Sequence, residues 1–165
     1  MAKRKNRGAG TGTPATALLE SSGATWTAHP YEHDPRAASY GLEAAQALGV
    51  AVSRVYKTLL ADCDGELTVA VVPVDRQLDL KALARAVGAK RAAMAEPARA
   101  ERSTGYVVGG ISPLGQRTAL RTVVDDSVGA WPTIFVSGGR RGLDIELTPQ
   151  VLIELTAAGS APIAR

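Results

Sequence analysis

The chain has 165 residues, of which 45% are hydrophobic and 21% charged, a composition typical of a globular protein with one core of ordinary size. No apolar run is long enough to span a bilayer, and no apolar stretch follows the basic start as a secretory signal requires. The single Cys63 cannot form an internal disulfide. These features predict a cytoplasmic protein.

The net charge of +3 is concentrated at the start of the chain. Four of the 19 basic residues lie within residues 1–12, which hold no acidic residue, and the remaining 15 nearly balance 16 acidic residues. We expect residues 1–12 to form a disordered basic arm, either merely solubilising or adding attraction to phosphate. Residues 13–165 are then a near-neutral domain, which argues against nucleic-acid binding over a broad basic face.

Local patterns predict two helices and a hairpin in the first half of this domain. Thr13 is a favourable N-cap, and Pro14 suits the first helical position. Asp62-Cys63-Asp64-Gly65 separates two apolar runs as a hairpin turn does. In chain order we predict a helix over 13–23, a strand over 25–31, a helix over 42–49 and strands over 55–61 and 67–72.

In the second half, short strands are mixed irregularly with short helices. Asp79 is a favourable N-cap for a helix with a clear apolar stripe. We predict helices over 79–88 and 96–102, strands over 92–95, 106–111, 121–125, 133–137 and 143–147, and a last helix beginning at Thr148. Because strands and helices do not alternate regularly, we expect a single α+β domain with mostly antiparallel strands and peripheral helices.

Lys57 is the residue that points most directly to a function. It lies inside the apolar run 55–61, where an ammonium group is desolvated unless a cleft, a partner or a ligand holds it. The sequence leaves two interpretations open. Lys57 is either a cationic anchor at the mouth of a pocket, or a hydrated residue on an edge strand or a solvent-facing side.

Two glycine-rich segments in the second half resemble binding loops. Gly109-Gly110-Ile111-Ser112-Pro113-Leu114-Gly115 follows an apolar run and can bring backbone N–H groups close to a carbonyl oxygen or a phosphate. Ser137-Gly138-Gly139 precedes the alternating run that contains Asp144. Each segment is alternatively an ordinary tight turn. Asp144 is either a solvent-facing residue or a carboxylate that meets an amine.

The histidines and the cysteine do not predict a metal or nucleophilic site. His29 and His33 are four residues apart, but Pro30 and Pro35 disfavour the helix that would bring them together. Cys63 lies between two aspartates, which do not favour a reactive thiolate. No nucleophile elbow or phosphate-binding loop is present. We therefore predict no metal and no cofactor.

Five segments in their order along the chain carry a family resemblance. They are Tyr31-Glu32-His33-Asp34-Pro35, Val55-Tyr56-Lys57-Thr58-Leu59, Gln77-Leu78-Asp79-Leu80-Lys81, and the longer runs 102–115 and 136–147. Together they resemble the YbaK/EbsC family, and specifically its YbaK-type Cys-tRNA(Pro) deacylases. The likeness runs from about Thr13 to Arg165. It implies a compact α+β domain around a barrel-like mixed sheet, related to the editing domain inserted in bacterial prolyl-tRNA synthetases.

The resemblance implies an enzyme that removes cysteine from mischarged Cys-tRNA(Pro), with Cys-tRNA(Cys) as a further candidate substrate. A small pocket separates cysteine from proline poorly, so a second site must remove the error. In such enzymes the substrate's thiol is thought to attack its own carbonyl, which fits the lack of a Ser-His or Cys-His set and formally resembles a lyase. The alternatives are an Ala-tRNA(Pro) deacylase or a non-catalytic module. The implied partners are the aminoacylated tRNA 3′ end and prolyl-tRNA synthetase.

The resemblance also assigns site residues. Lys57 would be the required catalytic residue, holding the terminal adenosine, its phosphate or the ester carbonyl. Asp144 would be available to the substrate's α-ammonium group. Tyr31, Tyr40 and Thr58 would surround the adenosine and the aminoacyl group, and Tyr40 would offer a stacking face. Gly109, Gly110 and Ser112 would lie in the loop near the carbonyl. Ser137 would lie on the opposite wall.

Overall fold

The computed structural model describes residues 12–165. The predicted basic arm lies, except for Gly12, outside these residues. The α-helices are α1 (Pro14–Ser22), α2 (Tyr40–Leu48), α3 (Leu80–Val87), α4 (Pro97–Thr104) and α5 (Pro149–Thr156). The β-strands are β1 (Thr27–Pro30), β2 (Tyr56–Cys63), β3 (Glu66–Pro73), β4 (Ala92–Met94), β5 (Arg121–Asp125), β6 (Ile134–Arg140), β7 (Leu143–Leu147) and β8 (Gly159–Ala161).

The helices α1, α3 and α5 begin where their capping residues predict. The Thr13 hydroxyl accepts a hydrogen bond from the Thr16 N–H at 3.2 Å, and the Asp79 carboxylate accepts one from the Ala82 N–H at 3.0 Å. Thr148 caps α5 in the same way. None of the helices within residues 12–165 is long and apolar enough to cross a membrane.

The strands form two sheets. One has the order β1-β7-β6 and is antiparallel, and the other has the order β4-β2-β3-β5-β8 with parallel pairing of β5 to β3 and to β8. The mixed, mostly antiparallel α+β prediction is therefore confirmed. The sheets are not closed into a barrel, because an isolated parallel bridge between Val55 and Phe135 stands where a continuous β2–β6 ladder would be needed.

The strand predicted over residues 106–111 is wrong, because this segment folds into turns. The Tyr106 hydroxyl donates to the Leu114 carbonyl at 2.6 Å, and the Gly110 N–H donates to the Val107 carbonyl at 2.9 Å. These local bonds replace those of a strand ladder. Val107 and Val108 are consequently 57% and 41% exposed.

The core lies on both faces of the five-stranded sheet. On one face, Leu19 of α1 and Leu152 of α5 pack with Val71 of β3 and with the three-stranded sheet. On the other face, Leu83 of α3 packs against Val72, the next residue of β3. A small third cluster holds α2 against the start of β2, and its buried members are Ala44, Ala45, Val55, Val74 and Phe135. This cluster fixes α2 beside the point where the two sheets meet.

Candidate functional site

A cavity of about 390 Å³ lies between β2, the β6–β7 hairpin, α2 and the loop that follows α4. It is large enough for a small ligand or part of a nucleotide. The structure brings seven of the nine predicted site residues to its wall, and these are Tyr31, Tyr40, Lys57, Thr58, Gly109, Ser137 and Asp144. Their positions along the chain span more than a hundred residues, so the fold assembles the site.

Gly110 and Ser112 do not line the cavity. Ser112 is fully buried, and its hydroxyl accepts a hydrogen bond from the Leu114 N–H at 3.2 Å. Gly110 packs so closely on the hairpin that a Cβ there would lie 2.9 Å from the Cα of Arg140. Both residues therefore shape the loop. Neither lines the cavity, although both were predicted to contact the substrate.

β2 has an open edge where it borders the cavity. β4 pairs with β2 only at residues 61–63, and the bridge to β6 lies at Val55. The Val55 carbonyl accepts from the Val74 N–H on the β3 side, whereas the Leu60 carbonyl accepts from the Ala95 N–H on the opposite side. Because main-chain groups alternate between the edges of an antiparallel strand, the N–H and C=O of Thr58 point toward the open edge.

The Thr58 hydroxyl strengthens the case for a bound ligand. Its Oγ1 is the one buried side-chain nitrogen or oxygen atom described for residues 12–165 that has no hydrogen-bond partner. Leaving such a group unsatisfied costs about 1–3 kcal/mol. A polar atom of a ligand in the cavity would remove this cost.

Lys57 is partly buried and lines the cavity, at a point where β2 has no partner strand on its β4 side. Burial lowers the pKa of its ammonium group, and the negative charge of Asp75 partly opposes the shift. Asp75 is an exposed residue that sequence reasoning missed. Lys57 thus offers a partly desolvated positive charge to a ligand.

Asp144 lies in the central strand of the three-stranded sheet, between His29 of β1 and Ser137 of β6. It is only 5% exposed, which excludes the solvent-facing interpretation. Burial raises the pKa of its carboxyl to about 7. The ion pairs formed within residues 12–165 do not include it. A buried carboxyl without a counter-ion is suited to bind a cationic group of a ligand.

Tyr31 and Tyr40, two of the three tyrosines that line the cavity, differ in what they offer. Burial, with a smaller contribution from the Asp144 charge, raises the pKa of Tyr31 to about 12, so its hydroxyl stays a donor. The ring of Tyr40 is already covered on one face, because the guanidinium carbon of Arg141 lies 4.6 Å from its centroid. The His33 ring is tilted against Tyr40 at 5.7 Å. Arg141 therefore occupies one of the two ring faces on which Tyr40 was predicted to stack a ligand.

The cavity wall holds no histidine or cysteine of residues 12–165. His29 is paired with Glu146 at 2.9 Å, and His33 is paired with Glu43 at 2.8 Å. No cluster of three His, Cys, Asp or Glu side chains in the described part of the chain is arranged to hold a metal ion. The side chains that are present can position a ligand and stabilise charge.

Arg140 at the end of β6 and Arg141 in the β6–β7 turn belong to the site and were not predicted. Arg140 lines the cavity, and Arg141 covers Tyr40. Both directly follow Ser137-Gly138-Gly139, and no role was predicted for either from the sequence. Their position in a glycine-rich turn only a few residues before Asp144 is the signal that could have found them.

Comparisons with known proteins identify the family. The model of the aminoacyl-tRNA editing domain matches residues 34–155. The chain is 38% identical over 122 residues to EbsC of Enterococcus faecalis, which is named as a candidate Cys-tRNA(Pro)/Cys-tRNA(Cys) deacylase. The match covers 72% of this chain and 73% of EbsC. It is 33% identical over 81 residues to the multifunctional Ser/Thr-tRNA deacylase ProXp-y of Escherichia coli, covering 47% of this chain and 48% of that protein.

A solved structure gives the same result over the whole fold. The crystal structure of a candidate trans-editing enzyme for prolyl-tRNA synthetase superimposes with a TM-score of 0.84 and 26% identity. The superposition covers 96% of this chain and 99% of that one. The resemblance predicted from the five segments is confirmed, and the chain belongs to the family of aminoacyl-tRNA editing domains.

Proposed function

We propose that this protein is an aminoacyl-tRNA deacylase that removes cysteine from mischarged Cys-tRNA(Pro). The family and the names of its relatives support an enzyme that acts on aminoacyl-tRNA. The likeness to EbsC favours cysteine as the amino acid removed. The observation that carries the proposal is that Lys57 and Asp144, two opposite charges, line a cavity in which the described residues supply no Ser-His or Cys-His pair.

The two charges match the two ends of an aminoacyl nucleotide. The α-amino group of an aminoacyl ester is cationic near neutral pH and pairs with the Asp144 carboxylate. Lys57 holds the terminal nucleotide through its phosphate or through the ester carbonyl oxygen, which gains negative charge when the carbonyl carbon is attacked. Apolar walls that include Val55, Leu60 and Ile111 strengthen both interactions by lowering the local dielectric.

The substrate supplies the nucleophile in this proposal. The thiol of the cysteinyl group loses its proton, and its sulfur attacks the carbonyl carbon of the same residue. A C–S bond forms, the C–O bond to the ribose breaks, and the ribose oxygen takes up a proton. The product is a cyclic thiolactone that water later opens. A serine hydroxyl reacts far more slowly in this way, because it is a much weaker nucleophile near neutral pH.

We also propose that prolyl-tRNA synthetase is a partner. Beyond residue 12 the chain is nearly neutral, so strong independent attraction to tRNA is not expected. Recruitment beside a synthetase that already holds the tRNA would compensate for this weak attraction. The structural likeness to a candidate trans-editing enzyme for that synthetase supports this proposal.

A second class of substrate, the hydroxyl amino acids, is favoured by the similarity to ProXp-y. The unpartnered hydroxyl of Thr58 could bind a serine or threonine side chain in the cavity. Such a substrate cannot easily attack itself, so water would be the nucleophile. The reaction product therefore separates the two possibilities.

The test is to incubate the protein with tRNA(Pro) carrying cysteine, serine, alanine or proline and to identify the released product. We expect Cys-tRNA(Pro) to be cleared at least about a hundredfold faster than Pro-tRNA(Pro), with a thiolactone as the first product. Preferred release of serine would favour the ProXp-y type of substrate, and preferred release of alanine an Ala-tRNA(Pro) deacylase. Persistence of all four esters would contradict the proposed activity and favour a non-catalytic module.

A further inference from the structure

The side chain of Arg141 bridges two sides of the cavity mouth. Its guanidinium group lies over the Tyr40 ring of α2, and its Nη2 donates to the Val108 carbonyl at 2.6 Å. Gly109 is shaped to this contact, because a Cβ there would lie 2.8 Å from the Arg141 Nε. The guanidinium is therefore held in position by α2 and the loop although Arg141 is exposed.

This guanidinium carries a charge that its neighbours do not neutralise. Arg141 is exposed, and the ion pairs described within residues 12–165 provide it with no carboxylate. Guanidinium has five N–H donors in a planar fork, and the hydrogen bond to Val108 uses one of them. The carbonyl and the aromatic ring orient the group without cancelling its charge. The remaining donors suit an oxyanion with two oxygens in one plane, such as a phosphate.

The geometry of an acylated nucleotide indicates where this phosphate comes from. The ester lies on the 3′ side of the terminal ribose and the phosphate on its 5′ side, so the RNA backbone must leave the cavity across the mouth. Met94 and Val108, which line the cavity and are 51% and 41% exposed, offer apolar surface to bases there.

We propose that Arg141 binds a backbone phosphate of the single-stranded 3′ end of the RNA where it crosses the cavity mouth. This inference rests on the proposed function, because it takes an acylated RNA end as the ligand. It assigns separate roles to two of the cations of the site. Lys57 acts inside the cavity on the terminal nucleotide, and Arg141 acts at the mouth on the strand that follows it.

The alternative is that Arg141 only fixes the loop, and the salt dependence of binding separates the two roles. The probe is an RNA minihelix that ends in CCA and carries no amino acid. Its binding is measured at several salt concentrations. We expect Arg141→Gln to weaken binding about tenfold at low salt. It should also reduce the slope of log affinity against log salt by about 0.7, the value for one phosphate contact of a single strand. Arg141→Lys should keep most of the slope.

Two controls separate a phosphate contact of Arg141 from a general loss of positive charge and from misfolding of the variant. Arg85→Gln removes an exposed arginine of α3 that does not line the cavity and should leave the slope unchanged. The second control is a series of minihelices, each with one neutral methylphosphonate at a different linkage near the 3′ end. For the wild-type protein, the slope of log affinity against log salt should be smaller with the neutral linkage at one position. At that position Arg141→Gln should cause no further reduction.

Three results would overturn the assignment: an unchanged slope in Arg141→Gln, an equal loss in Arg85→Gln, or no binding of the minihelix by wild-type protein. Deacylation is measured on the same proteins, so that the phosphate contact of Arg141 and the proposed activity are tested separately. Binding that depends on Arg141 without any deacylation supports the phosphate contact and contradicts the activity. Deacylation with an unchanged slope in Arg141→Gln supports the activity and contradicts the phosphate contact.

Discussion

Asp144 and Ser137 lie directly opposite each other in the β6–β7 ladder, and both line the cavity. Asp144 is covered on its other side by His29 of β1, so an ionisable group occupies the centre of a small sheet. Burial without an ion pair in the described chain makes its ionised form costly, and the pKa of its carboxyl is raised to about 7. The site therefore changes its charge within the physiological pH range.

The first prediction concerns the stability of Asp144→Asn. Between pH 4 and 7 the native carboxyl of Asp144 keeps a proton that the unfolded chain has lost, because its pKa rises from 3.8 to about 7 on folding. The free energy of unfolding of the wild type then falls as pH rises through this window. We expect the stability of Asp144→Asn relative to wild type to increase by about 2–3 kcal/mol between pH 5 and 8.

Urea denaturation of both proteins at the two pH values measures this difference. Asp125 is a useful control, because its carboxylate accepts hydrogen bonds from the Ile163 and Ala164 N–H groups and its pKa is lowered. Asp125→Asn should instead lose stability relative to wild type at pH 8. A stability difference between Asp144→Asn and wild type that does not vary with pH would contradict the raised pKa.

The second prediction concerns the pH dependence of deacylation. If the ionised Asp144 pairs with the substrate's α-ammonium group, activity should rise with pH through about 7, as the carboxyl with that pKa ionises. Ionisation of the substrate thiol, whose ordinary pKa is about 8.5, adds a second rise. Asp144→Asn should lose the first rise and keep the second. A pH profile of kcat/KM with the same shape in both proteins would show that Asp144 does not bind the ammonium group.

The third prediction separates ligand binding from folding at Thr58. Its buried hydroxyl has no partner in the described structure, so Thr58→Val should leave stability unchanged or raise it by about 1 kcal/mol. The same change should lower kcat/KM about tenfold, because the hydroxyl is then absent from the ligand contacts. Thr58→Ser should retain most of the activity. Chemical denaturation and deacylation rates test both parts, and a Thr58→Val protein that is both less stable and fully active would oppose the assignment.

The fourth prediction uses two glycines with nearly equal φ angles. Gly109 has φ +91° and Gly65 has φ +92°, so alanine is strained at both positions. A Cβ at Gly65 meets no atom within 4 Å, whereas one at Gly109 would lie 2.6 Å from Cε2 of Tyr40. Gly65→Ala should cost about 1–2 kcal/mol of stability, and Gly109→Ala more.

The two variants should also differ in deacylase activity. Gly109→Ala must displace Tyr40 or Arg141 and should lower deacylase activity, while Gly65→Ala should leave it near wild type because Gly65 lies outside the cavity. Equal activities for the two variants, measured at a temperature where both are folded, would show that the close contact of Gly109 does not matter for the site.

Local signals explain why much of the fold was predictable. A capping side chain acts within three or four residues, so Thr13, Asp79 and Thr148 place helix starts correctly. The hairpin of β2 and β3 is also local, with a short turn and matched apolar runs. The family resemblance then identified seven residues of the cavity wall, including Lys57 and Asp144.

The errors of the sequence reading come from contacts between distant parts of the chain. Residues 106–111 are apolar enough for a strand, but the pattern does not reveal whether a partner strand is available. The open edge of β2 depends on where β4 ends and on the Val55–Phe135 bridge, and neither leaves a trace in the sequence around Thr58. The stacking of Arg141 on Tyr40 joins residues a hundred positions apart and is equally hidden.

The central claim is that the ammonium group of Lys57 acts on an aminoacyl-tRNA bound in this cavity. Single-turnover deacylation of Cys-tRNA(Pro) by wild type, Lys57→Met and the exposed α3 control Lys81→Met tests it most directly. We predict that Lys57→Met is at least as stable as wild type, since it removes a desolvated charge, yet reacts about a hundredfold or more slowly. Lys81→Met should match wild type. A folded Lys57→Met protein with the wild-type rate would contradict the claim.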